Sequence, residues 1–249
     1  MFVSKRQIRN KKNNSFAAAK IFRKDELKAG GKYRGDPNGR DLVERELRLL
    51  AELDHPNIMK VSEAYEDQFK IYFIIEEFRG GTLFDRIIDK GQLDDENAAT
   101  IGAFLISILK YCEKNNVIIR NLKPEVIVLE DKDSLDIRLI DLSLAIKQEN
   151  YKEGAPDPLY DEYSRMPAVF KAPELHPHKK KYTNSCDVWS AGCIIFNMVT
   201  GIPPFYESDS SALQNLIMHG EYNGYFPEFD KKSSPELKAL VEGMIRVKP

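Results

Sequence analysis

The segment from residue 119 to residue 126 holds the side chains whose types and spacing are most suggestive of chemistry. It reads I-R-N-L-K-P-E-V and places the cations of Arg120 and Lys123 on either side of the amide of Asn121. An amide has no useful basicity near neutral pH, and the isopropyl group of Val126 offers no oxygen to a metal ion. The segment therefore supplies cationic hydrogen-bond donors, but neither a general base at Asn121 nor a metal ligand at Val126.

Composition and charge narrow the classes of partner. The 249 residues are 42% hydrophobic and 31% charged, with a formal net charge of −2. This balance lacks the basic field that attracts nucleic acid or an anionic membrane surface, so neither is an expected partner. The three cysteines, Cys112, Cys186 and Cys193, have no zinc-ligand spacing and no small secreted scaffold around them. They favour a reducing, cytoplasmic setting.

The first third of the chain is patterned for strands and one helix. Residues 16–22 form a short apolar run with a single lysine, which predicts an edge hairpin. Apolar residues recur at helical spacing over 41–53, so a helix is expected there with Glu46 near its centre. Residues 61–65 and 71–76 flank a polar turn, which predicts a second hairpin.

Beyond a pair of glycines the pattern becomes mostly helical, which predicts a lobe boundary near residues 76–81. Asp94 is the expected N-cap of a long amphipathic helix. Two apolar runs, 126–129 and 137–140, predict a small hairpin that follows the segment described first. Residues 147–165 are rich in charges and in glycine and proline, which predicts a long flexible loop of the kind that is usually functional or disordered.

Five motifs in a fixed order resemble those of serine/threonine protein kinase domains, in particular the calcium-dependent and calmodulin-dependent group. They are D-H-P-N-I at 54–58, G-G-T-L-F-D-R-I at 80–87, A-P-E at 172–174, D-V-W-S-A-G at 187–192 and G-I-P-P-F at 201–205. The resemblance covers nearly the whole chain. It implies an α+β, two-lobed kinase-like fold, with a small antiparallel-sheet lobe carrying one helix and a larger, mostly helical lobe.

The resemblance also assigns the boundaries of these lobes. The N-terminal lobe is expected over residues 1–78, without the Gly-rich loop that opens a full kinase domain, and the C-terminal lobe over 79–249, without its last helices. Together they form one kinase-like domain.

Five polar residues take functional roles by this resemblance. Lys20 matches the lysine that holds the α and β phosphates of ATP, and Glu46 matches the helix glutamate that pairs with it. Asp141, in the triplet D-L-S, matches a magnesium ligand, and Lys123 is expected to touch the transferred phosphate. Asn121 stands where the catalytic base belongs. ATP and at most one magnesium ion are therefore the expected cofactors.

The resemblance also implies the positions that line the nucleotide pocket. The backbones of Glu76 and Phe78 are expected to meet the adenine edge, and Ala18 and Val128 to sandwich its ring. Val3 matches the valine that follows the Gly-rich loop. For the apolar members of this set, plain core packing explains the sequence equally well.

Other positions concern regulation and departures from the family pattern. Arg120 matches the arginine that clamps a phosphorylated residue of the activation loop, and Glu174 matches a glutamate whose arginine partner would follow residue 249. Val126 occupies the place of an asparagine that binds a second magnesium ion. Ser143 replaces a glycine and adds a side chain where free backbone rotation would ease switching.

Three functions remain open on these residues. The first is a pseudokinase that binds ATP and acts on a protein partner as a regulatory or scaffolding module. The second is a weakly active serine/threonine protein kinase that transfers the γ-phosphate of ATP to a protein substrate. The third is an interaction domain that binds no nucleotide.

Overall fold

A computed structural model of the chain describes residues 4–9, 11, 14, 16–27, 39–148, 168–175, 183–221, 229, 231 and 233–247. Its strands are β1 (Ser4–Arg9), β2 (Phe16–Arg23), β3 (Val61–Glu66), β4 (Lys70–Ile75), β5 (Val117–Ile118), β6 (Ile127–Leu129), β7 (Ile137–Leu139) and β8 (Ile146–Lys147). Its α-helices are α1 (Gly39–Glu52), α2 (Leu83–Lys90), α3 (Asp95–Lys114), α4 (Ser185–Thr200), α5 (Ser210–His219) and α6 (Pro235–Met244). A sheet lobe with one helix precedes a mostly helical lobe, so the predicted α+β fold class is confirmed.

The small lobe is built on an antiparallel sheet with the strand order β1-β2-β4-β3. β1 and β2 form an antiparallel hairpin at one edge of the sheet, which confirms the edge hairpin predicted at residues 16–22, and β2 also pairs with β4 on its other side. Four successive residues of β2, from 19 to 22, are buried, which is typical of a strand covered on both faces. Phe22 packs its ring 4.8 Å from that of Phe73 on β4. Because β2 has a hydrogen-bonded strand on each side, its residues are held in fixed positions in the sheet.

The remaining predictions for the small lobe agree with the structure. The helix expected over 41–53 is α1, and its apolar stripe is buried at Val43, Leu49 and Leu50. The second hairpin is formed by β3 and β4. Periodicity succeeds here because both elements are local and amphipathic.

Two long helices form the centre of the large lobe. Asp94 caps α3, since its Oδ1 atom accepts a hydrogen bond from the backbone N–H of Asn97 at 2.8 Å. The helix α4 packs against α3 and has 13 of its 16 residues buried. It ends at Gly201, where φ is 80° and a Cβ atom would lie 2.1 Å from the carbonyl oxygen of Gly91, so only glycine fits. No helix among the described residues combines the length and apolar character needed to cross a membrane.

Two short ladders lie beside these helices. β6 pairs with β7, which confirms the hairpin predicted over 126–129 and 137–140. β8 pairs with the buried strand β5, so the expected loop does not begin at Lys147, which belongs to a strand. Residues 149–165 of that expected loop lie outside the described residues.

All three cysteines of the chain are buried and free of disulfides. Burial raises the pKa of the Cys112 thiol to about 12. Burial also raises the pKa values of Cys186 and Cys193 well above the ordinary range. The thiols are therefore protonated, apolar parts of the core.

His55 joins the segment after α1 to the large lobe. Its Nδ1 atom accepts the backbone N–H of Asn57 at 3.0 Å, so the proton of the neutral ring is on Nε2, which lies 3.0 Å from the hydroxyl oxygen of Ser107 on α3. The ring also lies 5.0 Å from that of Tyr111. Burial lowers the pKa of His55 below its ordinary value of 6.5.

This lowered pKa predicts a pH dependence of stability. The unfolded chain binds the proton more readily than the folded one, so the contribution of His55 to stability is complete above pH 6.5 and is lost as pH falls through the lower folded value. His55→Asn is expected to be less stable than the native chain at about pH 7.5, and that difference is expected to narrow by about pH 5. Urea unfolding at both pH values measures it. An unchanged difference would contradict the expectation, and His219→Asn, on the exposed end of α5, is the matched control.

Candidate active site

A buried ion pair links the sheet of the small lobe to its helix. Lys20, on β2, is 3% exposed, and its Nζ atom lies 2.5 Å from Oε1 of Glu46 on α1. The same oxygen accepts the backbone N–H of Leu142 at 3.1 Å. Lys20 Nζ also lies 3.9 Å from Oδ1 of Asp141. The structure thus brings together three predicted site residues that are far apart in sequence.

Neighbouring charges decide the protonation states in this cluster. Burial alone would lower the pKa of Lys20, but the charges of Glu46 and Asp141 outweigh burial and raise this pKa above its ordinary value. Lys20 therefore remains an ammonium ion. Burial opposes ionisation of Asp141, whereas Lys20, hydrogen bonds from Ser143 and the charge of Lys123 hold the pKa of Asp141 below its ordinary value. At neutral pH, a carboxylate therefore faces two ammonium groups.

Surface ion pairs hold α1 where Glu46 can reach Lys20. Near the start of the helix, the guanidinium of Arg40 makes two hydrogen bonds to the carboxylate of Glu66 on β3, at 2.9 and 3.1 Å. Lys24, just after β2, lies 2.7 Å from the same carboxylate. At the other end of the helix, Glu52 pairs with Lys147 of β8. Helix α1 is thus tied to both lobes.

A buried carboxylate positions the segment that carries Asn121. Asp187, on α4, is 1% exposed and accepts the backbone N–H groups of Ile119 and Arg120, both at 2.7 Å. Arg120 has φ of 63°, an unusual value for a side chain of this size. Its Nε atom donates to the carbonyl oxygen of Leu144 at 2.8 Å, which connects the segment to the residues after Asp141.

Asn121 lies inside this frame and not on the surface. It is 6% exposed, and within the described part of the chain its Oδ1 atom has no hydrogen-bond partner. Lys123 is half-buried and close enough to Asp141 to lower its pKa. Val126 is 6% exposed and belongs to the apolar core. The arrangement offers cations and one carboxylate to a ligand, with a neutral amide between them.

The predicted pocket residues are placed as follows. Ala18 on β2 is half-buried and pairs across the sheet with Ile75, and Val128 on β6 is 5% exposed. After β4, Glu76 is exposed and Phe78 packs against the core. Val3 lies outside the described residues. The positions of Ala18 and Val128 are equally consistent with plain core packing and with contact to an adenine ring.

The segment after Phe78 is attached to the large lobe by backbone hydrogen bonds. Arg79 N donates to Glu130 O at 3.0 Å, and Gly80 N donates to Leu129 O at 3.1 Å. A Cβ atom on Gly80 would lie 2.4 Å from the carbonyl oxygen of Asp131, so this close approach requires glycine. The connection between the lobes is therefore fixed at its C-terminal side.

The two predicted regulatory residues mark the two ends of the segment that follows Asp141: Arg120 contacts its start, and Glu174 lies near its end. Arg120 is 3% exposed and contacts Leu144, as described. Glu174 is half-buried in a single turn of 3-10 helix, Pro173–Leu175. The residues between them that are possible phosphate acceptors, Tyr151, Tyr160, Tyr163 and Ser164, lie outside the described residues.

Sequence reasoning missed two contributors to this site. Asp187 was part of a quoted motif but was given no role, although one acid within an otherwise apolar helix is a signal of a buried acceptor. Ser143 donates hydrogen bonds to Asp141 from its backbone, at 2.9 Å, and from its side chain. The sequence predicts for Ser143 only a restriction of backbone rotation.

A two-lobed α+β fold, a strand lysine paired with a helix glutamate, and a facing carboxylate define a protein kinase-like domain. The comparison with known families agrees with this class: the model of the protein kinase domain matches residues 2–249, and the chain belongs to that family.

Calcium-dependent protein kinases are among its relatives. The chain is 37% identical to calcium-dependent protein kinase 4 of Plasmodium berghei over 203 residues, which cover 81% of this chain and 37% of that protein. It is 32% identical to calcium-dependent protein kinase 5 of the same organism over 217 residues, with 86% and 35% covered. It is 30% identical to calcium-dependent protein kinase 10 of Oryza sativa subsp. japonica over 206 residues, with 82% and 32% covered. The chain therefore spans about a third of the length of these relatives.

Proposed function

We propose that this domain is a pseudokinase that binds ATP and regulates or scaffolds protein phosphorylation signalling in the cytoplasm, through contact with a protein partner. The observation that carries the proposal is the buried amide of Asn121, just after the two residues held by Asp187, at the position that the resemblance assigns to the catalytic base. An amide does not take the proton of a substrate hydroxyl near neutral pH. Catalysis is therefore impaired while the surrounding frame is kept.

The residues present fit a nucleotide. Lys20 is kept protonated by Glu46 and Asp141, and an oriented ammonium group is a good donor to phosphate oxygens. Lys123 would add a second cation, and Ala18, Val128 and the backbones of Glu76 and Phe78 would hold the base. Bound ATP supplies a transferable γ-phosphoryl group.

The residues present fit at most one magnesium ion. The side chain of Asp141 is 23% exposed and ionised, as a ligand for a hard cation must be. Val126 offers only buried hydrocarbon at the second position. Asp141 would hold the single ion.

A second candidate function is weak phosphotransfer to a protein serine or threonine. It is favoured by the intact Lys20–Glu46 pair at 2.5 Å, with Asp141 beside it. Phosphoryl transfer depends mainly on positioning and electrostatics, and a general base is typically worth about 10²- to 10⁴-fold. An enzyme lacking the base would therefore be slow but not inert.

Restoring the two lost groups tests the choice between these functions. The double variant Asn121→Asp, Val126→Asn is expected to transfer phosphate from ATP to a generic basic protein at least about 100-fold faster than the native chain, because it regains the base and the second metal ligand. A radiolabelled phosphate transfer assay measures both rates.

The controls keep this experiment decisive. The same double variant with Lys20→Met is expected to be inactive, and Asn121→Asp alone restores the base without placing an amide in the core. A native rate similar to that of the double variant would reject the pseudokinase and favour the weak enzyme. An inactive double variant that folds and binds ATP would reject the idea of a competent frame.

A further inference from the structure

The charges that would face the phosphates of a nucleotide are balanced without a metal ion. Lys20 and Lys123 are the cations, and Glu46 and Asp141 are the anions. Glu46 is buried at 1% exposure and directed to Lys20 at 2.5 Å. Asp141 is then the one of these two carboxylates that faces the pocket, with 23% of its side chain exposed.

Ligands for a metal ion are sparse at this site. Within the described residues, no group of three or more His, Cys, Asp or Glu side chains could hold a metal ion. Asn121 carries no charge, and Val126 carries no oxygen on its side chain. Of the charged side chains described at this site, only Asp141 is placed to hold an ion.

Asp141 is itself occupied by protein donors. Its Oδ1 atom accepts the backbone N–H of Ser143 at 2.9 Å and lies 3.9 Å from Lys20 Nζ. The Ser143 side chain also donates to this carboxylate, and the charge of Lys123 acts on it. A carboxylate with these partners is a weaker metal ligand and repels a phosphate less than an unpaired carboxylate does.

We propose that the site holds ATP through Lys20 and Lys123 and does not require magnesium for binding, an inference that rests on the proposed binding of ATP. Metal-free ATP is more negative than its magnesium complex, so it gains more from two ammonium groups. The complex gains in return only its contact with Asp141. Coupling between two ligands is reciprocal, so magnesium can raise the affinity for ATP only by the factor by which the protein raises the affinity of ATP for magnesium. One carboxylate that is shared with protein donors raises that affinity little.

Calorimetric titration of the purified chain with ATP tests this proposal, once in excess EDTA and once in excess magnesium. The two dissociation constants are expected to agree within about threefold, because a single contact to the metal is offset by the lower charge of the complex. Binding that is seen only with magnesium would overturn the proposal and leave ATP binding itself intact. An absence of binding under both conditions would overturn the proposed function as well.

Asp141→Asn gives the proposal a test of sign. In EDTA, the variant is expected to bind ATP about fivefold more tightly, since it removes the negative charge beside Lys20 and Lys123, which are proposed to hold the phosphates. If binding required magnesium held by Asp141, the native chain would instead bind no ATP in EDTA, and the same variant would lose most of its affinity in magnesium. Lys123→Met is expected to weaken binding under both conditions, and more strongly in EDTA, because metal-free ATP is the more negative ligand.

Matched variants exclude general effects of charge and folding. Asp89→Asn on α2 and Lys110→Met on α3 remove the same charges from exposed positions and are expected to leave both dissociation constants unchanged. A thermal unfolding midpoint near the native value, measured without ligand, establishes that each variant is folded. The native titration in EDTA decides the proposal even where a variant fails to fold.

Discussion

Glu46→Ala is expected to lower the free energy of unfolding by about 3–5 kcal/mol, because it leaves the ammonium of Lys20 buried without its main partner. Lys20 is 3% exposed, so water cannot replace the lost carboxylate. The backbone N–H of Leu142 loses the same acceptor. Urea unfolding of the native chain and of the variant measures the difference.

Two further variants separate the buried pair from other effects of the mutation. Glu44→Ala removes a glutamate from the same helix, but its side chain is 40% exposed and pairs with Arg40 at the surface, so a loss far smaller than that of Glu46→Ala is expected. Lys20→Met combined with Glu46→Leu replaces both charges and is expected to recover most of the stability lost in Glu46→Ala. Equal losses in the Glu44 and Glu46 variants would show that the buried pair has no special weight.

Asp187→Ala is expected to cost about 2–5 kcal/mol, since it removes the acceptor of two buried backbone N–H groups. Both hydrogen bonds measure 2.7 Å and hold Ile119 and Arg120 just before Asn121. Burial raises the pKa of Asp187 to about 6, so ionisation of its carboxyl group at neutral pH costs the folded state some stability. Chemical unfolding at about pH 8, where the native carboxylate is ionised, measures the loss.

The size of that loss is judged against other aspartate variants. Asp187→Asn keeps one acceptor oxygen and is expected to lose less than Asp187→Ala. Asp209→Ala removes an aspartate that caps α5 through the N–H of Ala212, at 2.8 Å, and is expected to cost about 1 kcal/mol. If Asp187→Ala cost no more than Asp209→Ala, the segment of Asn121 would be held by other contacts.

Local patterns in the sequence predicted the local elements well. The helix α1, the cap at Asp94 and the hairpin of β6 and β7 each depend on residues close together in the chain. The pairing of β2 with β4 was not predicted, because strand order depends on partners that are far apart in sequence. A run of apolar residues is consistent with an edge strand or an interior strand until its partners are known.

The candidate site was predictable only in part, for a related reason. Lys20, Glu46 and Asp141 were recognised by resemblance, and the structure places both carboxylates within 4 Å of Lys20 Nζ. The role of Asp187 required knowledge that two N–H groups point at it from another segment. The hydrogen bond from the Ser143 hydroxyl to Asp141 depends on the rotamer of Ser143, which a single sequence does not specify.

The three buried thiols give the folded chain a resistance to oxidants. Peroxide attacks the thiolate form, and oxidation selects thiols that are both ionised and accessible. Cys112, Cys186 and Cys193 are neither, because burial excludes solvent and raises each pKa. Oxidative damage at these positions must therefore wait for the core to open, and its rate is set by the free energy of that opening.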